Sequence, residues 1–307
     1  MSSFTQLPDL ASRALAGSVV FANDELFAER ENLIKPEPPS PTPAFGNKGK
    51  VYDGWETRRR RTSGNDFAIV RLGVPGVVHG VVIDTAFFTG NFPAYASVEG
   101  ASVTGYPDPD EITEWLPLLA RSPLKGDSAN QFEVTSDQRV THVRLSIYPD
   151  GGVARFRVHG IPSPDPALLS GTIGLAAIET GGSVVDCSDM FYSSPSNLLL
   201  PGRPRTMGEG WENARRRDDG NDHVTVRLAG PGIVRRVEID TSYFIGNAPG
   251  SASLTGNDVA VLVPRTKLQP DTRHFFVVSS DQPIEQVRLD VYPDGGVARL
   301  RVWGELI

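Results

Sequence analysis

The sequence predicts an all-β chain built as two tandem homologous domains, each a β-sandwich or jelly roll. Three observations carry this: a long internal repeat, short β-branched segments bounded by turn residues, and a scarcity of helix-forming stretches. Residues 54–100 and 210–256 align without a gap and are identical at 26 of 47 positions. Residues 136–160 and 280–304 are identical at 17 of 25. Matching at this level means one fold made twice, with the differences marking loops.

Taken in order, the first repeat begins with sparse helix. Asp9 is expected to N-cap a short helix ended by Gly17, and residues 24–31 to form another. PEPPSPTP (36–43) falls largely within nine residues that the second repeat lacks. Proline at that density excludes helix and central strand, so a surface loop is expected. FAIVRL (67–72) and VVHGVVID (77–84) read as strands. Gly73-Val-Pro-Gly76 between them predicts a tight turn and an antiparallel hairpin. TGYPDPDEITE (104–114) lies in a second insertion, which makes the first repeat twelve residues longer at this point. HVRLSIY (142–148) and VARFRVHG (153–160) are further strands, joined by Tyr148-Pro-Asp-Gly-Gly152, whose residues suit a turn. The expected boundaries are 1–160 for the first jelly roll with its N-terminal extension, 161–170 for a Pro-rich linker and 171–307 for the second.

Composition narrows the class. With 307 residues there is room for two cores, and a net charge of −7 with no long basic tract disfavours nucleic acid as a partner. Cys187 is the only cysteine, which rules out an intrachain disulfide; it is read as a buried thiol. The N-terminus lacks a basic-then-apolar leader pattern, and no apolar run approaches the ~18–20 residues that cross a bilayer. No membrane partner and a cytoplasmic home are therefore expected.

The predicted hairpin puts the start of its first strand and the end of its second at one rim. Arg59, Arg60, Arg61, Asn65 and Asp66 would then share a mouth with Asp84, Thr85, Gly90 and Asn91. In the second repeat Arg215, Arg216, Arg217, Asn221 and Asp222 would meet Asp240, Thr241, Gly246 and Asn247. Guanidinium forks suit carboxylates and ureido carbonyls, and alternation would let Arg59 and Arg61 act on one face. A solvated edge with internal ion pairs is the plainer alternative. Gly-Asn-Asp is also ordinary turn chemistry, and a carboxylate ending a buried strand is often simply paired. Phe88 and Phe244 read as aromatic plugs. Arg155 and Arg299 would neutralise Asp150, Asp294 or a bound anion. His223 extends the Gly-Asn-Asp motif in the second repeat alone and is a candidate acid–base group. No histidine pair has metal-ligand spacing, so no metal residues are assigned; the aspartates permit a divalent ion without demanding one.

GWETRRRR…GND, IDTAFFTGNFP, IDTSYFIGNAP and both YPDGGVAR segments resemble the allantoicase family. The resemblance runs from FTQLPDLASRALAGSVVFANDELFAERENLI to the last strand. It implies two jelly rolls in a soluble, cytoplasmic, homo-oligomeric hydrolase of purine (allantoin) degradation. Such an enzyme acts on a C–N bond of a linear ureido compound: allantoate and water give ureidoglycolate and urea. For that chemistry Arg59 and Arg61, or Arg215 and Arg217, would hold the substrate carboxylate. Asp66 and Asp84, or Asp222 and Asp240, would supply acid and base. Asn91 or Asn247 would orient a ureido group. The competing class is a non-catalytic carbohydrate- or small-anion-binding double jelly roll.

Overall fold

The computed structural model describes residues 4–307, which fall into two compact units divided between Ser163 and Pro164. In the first unit the strands are β1 (Ser18–Ala22), β2 (Phe45–Gly46), β3 (Gly49–Lys50), β4 (Trp55–Glu56), β5 (Asp66–Asp84) and β6 (Tyr95–Ala101). They continue with β7 (Leu116–Pro123), β8 (Ala129–Glu133), β9 (Arg139–Tyr148), β10 (Gly152–Val153) and β11 (Arg155–Pro162). The second unit has β12 (Ile173–Gly174), β13 (Ser183–Cys187), β14 (Asp222–Asp240) and β15 (Ser251–Gly256). Its last strands are β16 (Ala260–Lys267), β17 (Arg273–Val277), β18 (Pro283–Tyr292) and β19 (Arg299–Leu306). The only helices among the described residues are short 3-10 turns.

Each unit is a jelly-roll sandwich organised around one 19-residue strand. The N-terminal half of β5 lies between β1 and β9, and β6 and β7 extend that layer. The C-terminal half lies between β11 and β8 in the other layer. β14 does the same, with β13, β18, β15 and β16 on one side and β19 and β17 on the other. Period-two burial fills the space between the layers. Val143, Leu145 and Ile147 of β9 in one layer, and Val81, Ile83, Phe156 and Val158 in the other, are all buried. Trp55 and Trp211 are wholly buried, and each indole N–H donates to a carbonyl, of Asp24 and Asp189 respectively.

The expected hairpin is therefore not a hairpin. Gly73–Gly76 is a corner within one strand, marked by a register shift between Arg71 and Gly76 against β9. The two halves pair with other strands, not with each other. Glycine is required at the corner because the chain passes against neighbouring backbone. A Cβ on Gly73 would sit 2.0 Å from the Leu15 carbonyl oxygen.

The N-terminal helix is also shorter than expected. Only Arg13–Leu15 forms a 3-10 turn, and Ser12 caps it. Asp9 instead accepts the Ala11 and Val158 amides and pairs with Arg157. Of the second expected helix, residues 24–29 are non-helical and a 3-10 turn covers Arg30–Ile34. The expected linker divides as well: Ile161 and Pro162 finish β11, and Pro166–Leu168 form a 3-10 turn. Cys187 is half-buried rather than sealed, and burial pushes its thiol pKa up.

Candidate functional site

Although the hairpin is absent, both ends of each long strand reach the same rim. The six residues between β9 and β11 (149–154) join the layers there and are held by several of the segments singled out in the sequence. Asp66 N–H donates to Pro149 O (3.1 Å), and Arg60 N–H donates to Asp150 Oδ2 (2.8 Å). Thr57 N–H reaches Gly151 O (3.1 Å), Gly152 N–H reaches Asn91 O (2.8 Å), and Ala154 N–H reaches Asp84 O (2.7 Å). The second unit repeats the pattern. Asp222 N–H donates to Pro293 O (3.1 Å), Arg216 N–H to Asp294 Oδ2 (2.7 Å), Gly296 N–H to Asn247 O (2.8 Å) and Ala298 N–H to Asp240 O (2.7 Å). Gly151 and Gly295 take φ of 140° and 124°, which side-chain-bearing residues rarely adopt. Phe88 and Phe244 are the buried plugs beneath, packed against Gly152 and Gly296. Thr85 and Thr241 are wholly buried and donate to local carbonyls.

The side chains divide into two groups. Arg60 turns inward and forms an ion pair with Asp66 (Nη2–Oδ1 2.5 Å), and Asn23 Nδ2 donates to the same oxygen (3.2 Å). Arg216 pairs with Asp222 (2.5 Å), to which Ser188 Oγ also donates (2.9 Å). Both aspartates are about 2% exposed, and in each the second carboxylate oxygen is buried without a partner. Arg59, Arg61, Arg215 and Arg217 form the second group. All four are exposed and, among the described residues, unpaired. Asp150 and Asp294 accept main-chain N–H groups of Arg60 and Arg216 and, among the described residues, form no ion pair with Arg155 or Arg299.

Asp66 and Asp84 belong to different environments. The half-buried Asp84 carboxylate accepts Ala86 N–H (2.8 Å); burial raises its pKa, opposed by Arg157 and Arg155. Asp240 is buried and accepts Ser242 N–H (2.8 Å) and Oγ–H (2.6 Å). Among the described residues, the Asp66 and Asp84 carboxylates share no hydrogen-bond partner, and neither do those of Asp222 and Asp240. His223 Nε2 lies 2.9 Å from Asp186 Oδ2. The matching positions in the first unit are Phe67 and Phe21, a tilted aromatic pair with centroids 5.5 Å apart. The histidine is thus half of a polar pair that replaces an apolar one.

A carboxylate not assigned a site role from sequence sits on each rim. Asn91 Nδ2 donates to Glu56 Oε1 (2.7 Å), and Asn247 Nδ2 donates to Glu212 Oε1 (2.6 Å). Burial pushes the Glu56 pKa up, partly offset by the Asn91 bond. The signal was present in the repeat: Gly-Trp-Glu opens both copies. Among the described residues no three His, Cys, Asp or Glu side chains gather as a metal-ligand set.

Two homologous jelly rolls, each with exposed guanidinium groups and an amide-held carboxyl on one rim, place the chain among tandem-repeat jelly-roll proteins. The Allantoicase family, described as "Allantoicase repeat", matches residues 8–163 and 173–307. A "Probable allantoicase" of Nocardia farcinica is 58% identical over 314 aligned positions, covering 99% of this chain and 95% of that protein. One from Streptomyces coelicolor is 48% identical, covering 99% and 86%. The crystal structure of allantoicase from Saccharomyces cerevisiae superposes with a TM-score of 0.84 at 34% identity, covering 97% of this chain and 93% of that one. This chain belongs to the allantoicase family.

Proposed function

We propose that this chain hydrolyses allantoate to ureidoglycolate and urea in purine degradation, with the chemistry at the rim loops. The observation that carries the residue assignment is the repeated rim: two unpaired exposed arginines and a Glu–Asn pair around the same loop in both units. Allantoate has one carbon bearing a carboxylate and two ureido groups. Arg59 and Arg61, or Arg215 and Arg217, hold the carboxylate. Asn91 or Asn247 orients the reacting carboxyl and a ureido group. Glu56 takes the acid–base work in place of Asp66. A carboxyl whose protonated form is favoured by burial can give its proton to the departing urea nitrogen. It then takes a proton from the water whose oxygen bonds to the central carbon. Glu212 is its counterpart. Asp66 and Asp222 fix the inward arginines, so the outward pair faces solvent.

The test is urea release by Glu56→Gln, Glu212→Gln and the double variant, each shown to be folded. A fall of about 10²-fold or more is expected when the working copy is lost. Wild-type rates in the double variant would remove these carboxyls from the reaction.

A homo-oligomer and a cytoplasmic setting are part of the same proposal. Self-association is supported by Phe275 and Val277, 55% and 84% exposed on one face of edge strand β17. Sedimentation of the Phe275→Ser/Val277→Ser variant at the wild-type mass would count against that face.

A further inference from the structure

The two units treat one pair of arginines differently. In the first, Arg155 and Arg157 of β11 are saturated. Arg155 donates to Glu37 O (2.9 Å), Asp53 O (3.0 Å), Ala154 O (2.7 Å) and Asp53 Oδ2 (2.7 Å). Arg157 donates to Asp9 Oδ2 (3.3 Å) and to the carbonyls of Lys35, Pro36 and Glu37. The beginning of the proline-rich segment therefore seals this side of the first sandwich.

In the second unit the counterparts are Arg299 and Arg301 of β19, and those partners are gone. The nine-residue insertion is absent, and Gly174 stands where the first repeat has Asp9. Glu209 stands where it has Asp53, but gives its carboxylate to Arg205 (2.7 Å). Arg299 is 3% exposed and donates through Nη1 to the carbonyls of Glu209 and Ala298 (both 2.7 Å). Its Nε is buried with no partner, and among the described residues no carboxylate pairs with it. Burial, with Arg301 beside it, lowers its pKa to about 10. Among the described residues the Arg301 side chain makes one hydrogen bond, to Gly202 O (2.7 Å).

What the missing cover leaves is a cavity of about 330 Å³, at the small end of ligand sites. Its charged lining is four arginines, 203, 273, 299 and 301, against the carboxylates of Glu179, Glu238 and Asp240, leaving one positive charge. Arg273 and Glu238 satisfy each other at 2.5 Å. A monoanion balances the remainder, whereas a dianion would be repelled by the two carboxylates left over. Those carboxylates, Glu179 and Asp240, are acceptors for N–H groups on the same ligand.

We propose that this cavity binds a small monocarboxylate bearing N–H donors. Arg299 and Arg301 hold its carboxylate, in the role that backbone carbonyls and Asp53 fill in the first unit. Of the rim residues only Asp240 lines it, and none of the arginines or glutamates assigned to the reaction does, so the proposal does not rest on that reaction.

The test is calorimetric titration of the full chain with hydantoate (N-carbamoylglycine), with its neutral amide and with inorganic phosphate as controls. Two variants are compared after thermal melts show them folded: Arg299→Leu, and Gly174→Asp, which restores the first repeat's carboxylate opposite Arg301. Expected is saturable hydantoate binding that loses one site per chain, or at least tenfold in affinity, in each variant, with weaker binding of both controls. Should Arg299→Leu fail to fold, Gly174→Asp and the wild-type controls decide. No hydantoate binding to wild type, unchanged isotherms in the folded variants, or equal affinity for the neutral amide would overturn the proposal.

Discussion

Replacing Arg60 by Met isolates the energetics of the inward-facing pair. Asp66 Oδ1 receives three donors: Arg60 Nη2 (2.5 Å), Arg60 Nε (3.2 Å) and Asn23 Nδ2 (3.2 Å). Its Oδ2 receives none. The substitution removes two of the three and leaves a carboxylate 2% exposed with a single neutral donor. Breaking a buried pair by deleting one partner costs ~3–5 kcal/mol. Arg60 is itself 22% exposed, so the lower end applies, about 3 kcal/mol. In a unit of this size that is roughly 6–12 °C in the transition reporting the first sandwich. Scanning calorimetry reads it, with the second unit's transition as an internal reference. Adding Asp66→Asn removes the stranded charge and should recover at least half the loss, since a neutral pair needs no counterion. A single variant within 0.5 kcal/mol of wild type, or a double variant no better than the single, would refute this account of what holds the arginine inward.

Three further outcomes are expected. Gly152→Ala and Gly296→Ala place a Cβ 2.0 Å and 1.8 Å from Phe88 and Phe244 ring carbons; each should cost at least about 2 kcal/mol by denaturant titration, more than Gly90→Ala, whose Cβ meets nothing. The raised Glu56 pKa means the fold favours its neutral form, a contribution present at low pH and lost as pH rises through the folded value. Glu56→Gln should therefore gain on wild type as pH climbs above about 4.5, the ordinary glutamate value, and a pH-independent difference would contradict this. His142 is buried, and burial, with Arg71 adding, lowers its pKa to about 4. The unfolded chain takes up that proton first, so the stabilisation is complete above about pH 6.5 and fades as pH falls toward 4. The difference is on the order of 3 kcal/mol; His142→Asn should flatten this part of the stability–pH curve.

The repeat made the architecture legible, because two copies of each strand separated pattern from accident. It did not reveal that Gly73–Gly76 is a corner. Gly-x-Pro-Gly suits a tight turn or a bend equally well. What decides between them is that β9 and β11, some 70 residues away in the sequence, claim the two halves separately. The shared rim followed anyway, for a different reason: the loop between β9 and β11 returns both ends to one place. Arg59 and Arg61 are exposed while Arg60 pairs with Asp66, but the run lies outside any strand, so strand alternation is not the cause. Glu56 was hidden because its nearest arginines made a surface ion pair the simpler reading, while its actual partner, Asn91, lies 35 residues on. The contrast between Arg155 and Arg299 was invisible for a similar reason. The residues are identical in the two repeats, and the difference lies in which distant carbonyls reach them.

A strand that serves as a member of two layers also couples their fates. Amides from Ala68 to Leu72 and from Val78 to Ile83 hang on one ribbon, so neither face of the sandwich can peel away while the other stays intact. Solvent exchange at both ends of that ribbon should proceed by the same rare, whole-unit excursion, and local fraying should be confined to the outermost strands.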